Sequence, residues 1–93
     1  MKNLDMDIKK YSDEIAFVKG SKYREICLFE IDCKFKMPKE ISKSRKIHLS
    51  EVSRALKGLK EKKLVEVINP NARKSRIYQL TPNGKKVLEI LKF

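Results

Sequence analysis

The segment HLSEVSRALKGLKEKKL, residues 48–64, constrains the fold most, because its side chains separate onto two faces with the period of a helix. Apolar side chains recur at spacings of i, i+3, i+4 and i+7 on one face, at Val52, Ala55, Leu56 and Leu59. Hydroxyls and long charged side chains fall on the other, at Ser50, Ser53, Arg54, Lys57 and Glu61. His48 or Ser50 can cap its start. We therefore predict an amphipathic helix over residues 48–63 with a polar, largely basic outer face.

The segment before this helix predicts a second, shorter helix joined to it by a tight turn. Pro38 suits the first turn of a helix over PKEISKS, since no N–H group is needed there. Ile41 is its core anchor, Arg45 and Lys46 form the turn, and Ile47 is another anchor. A short helix, a turn and a longer basic helix together indicate a helix-turn-helix.

The segment after it predicts a β-hairpin and a final helix. Residues 64–68 and 76–80 are prone to form strands, and the Asn- and Pro-containing stretch between them breaks the run. Thr81 can cap a last helix that begins at Pro82 and runs to Phe93. Val87, Leu88 and Leu91 form its core stripe, so Ile90 and Phe93, which lie off that stripe, are expected to be exposed.

Two further helices are expected at the N-terminal end. An apolar stripe with steps of four and three residues predicts a helix that ends near Gly20, through Leu4, Ile8, Tyr11, Ile15 and Val18. This stripe can pack on its own domain or form a dimer contact. Ser21 can cap the next helix, residues 22–33, which is apolar on almost every side and is therefore expected to be central and buried.

The net charge of +11 is placed unevenly along the 93 residues. Residues 1–20 carry four charges of each sign, whereas residues 39–86 carry 14 cations against four acids, a surplus of +10. Such a surplus favours a polyanionic partner, because each neutralised phosphate releases condensed counterions. Nucleic acid is the first candidate and an anionic membrane surface the second. A lysine-rich solvated surface is the alternative.

Other classes of function find little support in the residues. The chain has no paired histidine and nucleophile, no glycine-rich phosphate loop and no acidic cluster for magnesium, so we do not expect an enzyme or a cofactor. Cys27 and Cys33 lack the partners of a zinc site, and we interpret both as small buried thiols in a reducing compartment. No apolar run reaches the roughly 20 residues of a membrane span, and the charged N-terminus lacks a signal-peptide core. We expect a cytoplasmic protein.

Three stretches resemble the winged helix-turn-helix domain of MarR/ArsR-like transcriptional regulators, especially small archaeal ones. PKEISKSRKIHLSEVSRALKGLKEKKLV resembles the helix-turn-helix of that family, RIYQLTPNGKKVL its exit from the wing, and SKYREICLFEI the first core helix of archaeal members. The match covers residues 21–90. Two positions depart from it, because Lys46 and Lys63 stand where the family often has glycine. A positive φ angle at either lysine would cost on the order of 1 kcal/mol.

The resemblance implies a mainly α fold with a small β-hairpin (α+β), and a homodimer that reads double-stranded DNA. Residues 21–93 would form the DNA-binding domain. Apart from the resemblance, the N-terminal helix, residues 1–20, can supply a dimer contact through its stripe, together with Ile90 and Phe93 of the last helix. The long helix would enter the major groove with Ser50, Glu51, Ser53, Arg54 and Lys57, among which Arg54 can pair with guanine. Glu51 can accept from cytosine or form a salt bridge with Arg54 or Lys57. The cations that flank the DNA backbone would be Lys39, Lys43, Arg45 and Lys46. The wing, residues 69–76, would reach the backbone or the minor groove with Arg73, Lys74 and Arg76. The alternative is a winged helix that docks proteins or binds DNA without sequence preference.

Overall fold

The structure, a computed structural model, describes residues 4–93, and their side chains from Met6 onward. Residues 1–3 and the Leu4 side chain of the predicted stripe lie outside the described part. Within it the chain forms six helices and two strands: α1 Leu4–Lys10, α2 Ser12–Lys19, α3 Lys22–Ile31, α4 Pro38–Arg45, α5 Leu49–Glu61, β1 Val65–Val67, β2 Tyr78–Leu80 and α6 Pro82–Leu91. The predicted class, mainly helical with a small antiparallel hairpin, is confirmed. Among these helices none is both long and apolar enough to cross a membrane.

The core is built around α3 and α5, which contact each other along their apolar faces. Cys27, Leu28 and Ile31 on α3 are fully buried. All four apolar residues predicted for the inner face of α5 are buried as well, at Val52, Ala55, Leu56 and Leu59. The period of the sequence therefore predicted which face of α5 turns inward, and the polar face is left for solvent.

The N-terminal segment is two helices, so the expectation of one continuous helix was wrong. The backbone departs from helical geometry at Tyr11, although the N–H groups of Tyr11 and Ile15 still bond carbonyl oxygens four residues earlier, at 3.0 and 2.8 Å. Tyr11 is buried, and its hydroxyl donates to Oδ1 of Asn83 on α6 at 3.2 Å. Val18 is fully buried, whereas Ile8 is 41% exposed. The stripe thus packs on its own domain from Tyr11 onward.

Two expectations about burial fail for tertiary reasons. Ile90 is buried, because α6 packs against helices from the N-terminal end as well as against α3 and β2. Phe93 is exposed, as expected. Cys33 is also exposed, because α3 ends at Ile31 and the chain turns away at Asp32, whose φ angle is 47°. Cys27 is buried as expected, and burial raises the pKa of its thiol to about 12.

The hairpin pairs β1 with β2 in antiparallel register, with Val65 opposite Leu80 and Val67 opposite Tyr78. Both strands are shorter than the predicted 64–68 and 76–80. Lys36 pairs with Tyr78 on the other side of β2 through two backbone hydrogen bonds of 3.0 and 2.8 Å. The segment between α3 and α4 is thereby fixed to the small sheet.

Candidate nucleic-acid interface

A rigid turn sets the orientation of α5 relative to α4. The buried side chain of Ile41 anchors α4 to the core. The helix ends at Lys46, whose φ of 55° and ψ of 48° lie in the left-handed region. Ser42 closes the turn, since its carbonyl accepts the N–H of Ile47 at 3.2 Å and its hydroxyl donates to the carbonyl of Ile47 at 2.6 Å. The chain therefore enters α5 at a fixed angle despite the absence of glycine.

The first turn of α5 begins with His48 at the N-cap position. Its backbone is extended there, with φ −62° and ψ 139°, but its side chain makes no capping bond. Glu51 lies in this first turn, where a carboxylate interacts favourably with the helix dipole. Ser50 is exposed in the same turn. The predicted start of the helix is correct, and the predicted side-chain cap by His48 is not formed.

The outward face of α5 is polar and cationic. Ser50, Ser53, Arg54 and Lys57 are exposed, and 77% of the Arg54 side chain is accessible. The Glu51 side chain is only 28% accessible, and its carboxylate accepts a hydrogen bond from Nη1 of Arg54. Every predicted contact residue of this helix therefore reaches the surface, and two of them form an ion pair there.

The predicted backbone contacts around α4 fall into two groups. Lys39, Lys43 and Lys46 are exposed, and none of them forms an ion pair with a side chain of residues 6–93. Arg45 instead donates from Nε to Oε2 of Glu30 on α3 at 2.7 Å. This bond holds the pKa of the Glu30 carboxyl below its usual value. Arg45 thus braces α4 against α3 and has fewer donors left for a phosphate.

The hairpin loop, residues 68–77, contains the predicted wing and is organised by Asn69. The Asn69 side chain accepts from the N–H of Ile77 at 2.7 Å and donates to the carbonyl of Ser75 at 3.2 Å. Nε of Arg76 donates to the carbonyl of Ala72 at 3.0 Å, which holds this guanidinium against the loop. The other two predicted wing cations, both exposed, are Arg73 and Lys74.

A groove beside α5 brings in residues that the sequence did not indicate. Its volume is about 240 Å³, and its walls come from the start of α3 and the first half of α5, with Ser21, Tyr23, Arg24, Glu51, Arg54 and Ala55. Arg24 is held in place, because Nη1 donates to the carbonyl of Phe17 at 2.8 Å and the guanidinium lies 3.9 Å from the Phe17 ring centroid. Residues 21–24 and 51–54 lie on different helices, so no local periodicity could have placed them together.

The described residues hold no group of three or more His, Cys, Asp or Glu side chains placed to bind a metal ion. No protein-family model, curated protein or solved structure matches this chain.

Proposed function

We propose that this protein is a sequence-specific regulator of transcription that binds double-stranded DNA through a winged helix-turn-helix. In this proposal α4 and α5 form the helix-turn-helix, α5 lies in the major groove, and the wing, residues 69–76, contacts backbone or minor groove. The observation that carries it is the division of α5, whose apolar side chains all enter the core while its outer face presents exposed serines and cations.

The distribution of charge supports this surface over a generally cationic one. The segment from Lys39 to Lys86 holds 14 cations against four acids, and 13 of those 14 cations are exposed. The exception is Lys86, whose Nζ lies 3.8 Å from Oδ2 of Asp7 and 3.9 Å from Oε1 of Glu89. A surface that was merely solvated would not require this concentration in α4, α5, the hairpin loop and the start of α6.

The proposed contact residues would then have different roles on the DNA. Arg54, on the outward face of α5, is suited to guanine, whose O6 and N7 accept two parallel hydrogen bonds. Ser50 and Ser53 can bond bases or phosphates, and Lys57 extends the same face. Lys39, Lys43 and Lys46 position the duplex through phosphates, as do Arg73, Lys74 and Arg76 on the wing. Arg45 contributes chiefly by fixing α4 to Glu30.

Pairing through the terminal helices belongs to the same proposal. Met6 and Ile8 on α1 are 66% and 41% exposed, and Phe93, just beyond α6, is 86% exposed. α1 and α6 contact each other, so these apolar side chains lie on, or just beyond, two neighbouring helices. Residues 1–20 carry no net charge, which allows two strongly cationic chains to approach there. A two-fold dimer would present two copies of α5 to two half-sites.

The test is binding of labelled random-sequence duplex DNA over a series of salt concentrations, followed by sequencing of the bound pool. We expect affinity to fall steeply with salt and a two-fold-symmetric motif to be enriched. Salt-dependent binding without enrichment would indicate an architectural binder instead. No binding at about 50 mM salt, where several phosphate contacts suffice for association, would contradict the proposal and favour a protein-docking module.

A further inference from the structure

The ion pair on the outer face of α5 is asymmetric. The Arg54 side chain is 77% exposed and the Glu51 side chain 28%. Both residues line the groove beside the start of α3, but Glu51 is the more enclosed of the two and most of the Arg54 side chain is accessible. The carboxylate is therefore the more enclosed partner, and its hydrogen bond holds one edge of the guanidinium.

The hydrogen bond uses a particular part of that guanidinium. Nη1 of Arg54 donates to Oε1 of Glu51. The Nε and Nη2 groups lie in the same plane and remain available as donors, because the guanidinium is rigid and carries its N–H groups in a fixed fork. Two parallel donors match the O6 and N7 acceptors of guanine. An arginine without an anchor could instead swing to any nearby phosphate.

The carboxylate also disfavours wrong contacts. An ionised glutamate only accepts hydrogen bonds, so it repels phosphate oxygens that approach it. A duplex that draws Arg54 away to a phosphate leaves Glu51 without its partner inside an anionic interface, and such an unpaired charge is costly.

We propose that Glu51 is a positioning residue that makes Arg54 selective for guanine, by holding the guanidinium in a base-reading orientation and opposing its transfer to phosphate. This inference rests on the proposed DNA-binding function. Glu51, an acidic residue on a cationic face, would thus increase the specificity of binding and lower its affinity.

The experiment compares E51Q with E61Q. Glu61 is an exposed acid on the same helix and forms no ion pair with a described side chain, so E61Q removes an equal charge without releasing Arg54. The probes are the duplex enriched by the selection and the same duplex with each guanine changed in turn. Wild type and E61Q should prefer one guanine by about 10-fold or more. E51Q should bind all duplexes at least as tightly and lose most of that preference.

A double substitution tests whether Glu51 affects the guanine preference through Arg54. If Glu51 acts through Arg54, then R54A and the combined E51Q/R54A protein should show the same weak preference at that guanine. Circular dichroism should show that all variants remain folded. An unchanged preference in E51Q, with affinity raised equally on every duplex as in E61Q, would overturn the inference while leaving the regulator intact. Wild-type protein that prefers no guanine in an enriched duplex would overturn the inference alone, whereas a selection that enriches no duplex would overturn the proposed function.

Discussion

Gly84 at the start of α6 lies directly against the backbone of Leu64, so closely that a β-carbon on Gly84 would sit 1.9 Å from the Leu64 carbonyl oxygen. The same oxygen accepts the N–H of Thr81 at 3.0 Å, and the Thr81 hydroxyl donates to the carbonyl of Lys63 at 2.7 Å. The first turn of α6 is thereby fixed to the turn that follows α5.

Gly84→Ala should destabilise the fold by about 3 kcal/mol, because backbone on both sides must move to relieve the overlap. Urea unfolding followed by circular dichroism measures the change. Lys85→Ala, at the exposed neighbouring position, is the control and should change stability by less than about 0.5 kcal/mol. Equal midpoints for the two variants would show that the contact at Gly84 is not needed.

Lys63 lies two residues beyond the end of α5, in a left-handed conformation with a φ angle of 63°. The N–H of Lys63 donates to the carbonyl of Lys60 at 2.9 Å, and the N–H of Leu64 donates to the carbonyl of Leu59 at 2.9 Å. These two hydrogen bonds are the pattern of a Schellman motif. Lys63→Gly should therefore stabilise the protein by about 1 kcal/mol relative to Lys63→Ala, since only the alanine keeps a strained β-carbon. Thermal unfolding of both variants distinguishes this backbone effect from loss of the charge. A less stable glycine variant would contradict the assignment.

The sequence predicted features that depend on local spacing or on single-residue chemistry. The buried face of α5, the Ile41 anchor, and the caps at Ser21 and Thr81 all follow from such rules, and each is found. Lys46 and Lys63 both adopt positive φ angles, a conformation that strains a residue with a β-carbon.

Features that depend on which elements become neighbours escaped prediction. Tyr11 interrupts the N-terminal helix at the residue that reaches Asn83, 72 positions away. Ile90 is buried by helices that pack on α6, and the hydrophobic period of α6 does not show where they pack. The ion pair of Arg45 with Glu30 joins two different helices. The local pattern of the sequence predicts neither the ion pair of Arg45 nor the groove beside α5. The tertiary structure was therefore needed to distinguish cations that form ion pairs within the protein from those that do not.

The Glu30–Arg45 pair predicts a pH-dependent contribution to stability. The hydrogen bond from Arg45 is the main reason that the pKa of Glu30 is lowered in the folded state, with further help from Ser44 and the charge of Lys36. A carboxyl with a depressed folded-state pKa stabilises the fold above its unfolded pKa and loses that contribution as pH falls through the folded value. Glu30→Gln should thus cost about 1 kcal/mol at pH 7, and the difference from wild type should shrink below pH 4.5.

Urea unfolding at pH 7 and at about pH 3 checks this expectation, because the lower pH lies well below the ordinary glutamate pKa of 4.5. Glu61→Gln is the matched control, because Glu61 is exposed and pairs with no described side chain. A loss in Glu30→Gln that persisted unchanged at the lower pH would assign the effect to packing instead of to the ionised pair.

The proposed dimer predicts different results for two exposed aromatic residues. Phe93 is 86% exposed next to α6, and Phe35 is 61% exposed in the segment between α3 and α4. Phe93→Ser should raise the dimer dissociation constant at least about 10-fold, since each buried aromatic side chain contributes about 1.5–3 kcal/mol. Phe35→Ser should leave it unchanged. Sedimentation over a range of protein concentrations gives both constants, and a monomeric wild type would remove dimerisation from the proposal.

The wing makes a prediction that separates positioning from reading. Lys74 is exposed in the hairpin loop, so on DNA it would contact phosphate and carry no sequence information. Lys74→Ala should weaken binding to every duplex by a similar factor and reduce the slope of log affinity against log salt by about 1. Lys9→Ala removes an equal charge from an exposed position on α1, remote in sequence from the wing, and should leave the slope almost unchanged. A slope for Lys74→Ala equal to those of Lys9→Ala and wild type would mean that Lys74 does not contact DNA, and would leave the wing contacts to Arg73 and Arg76.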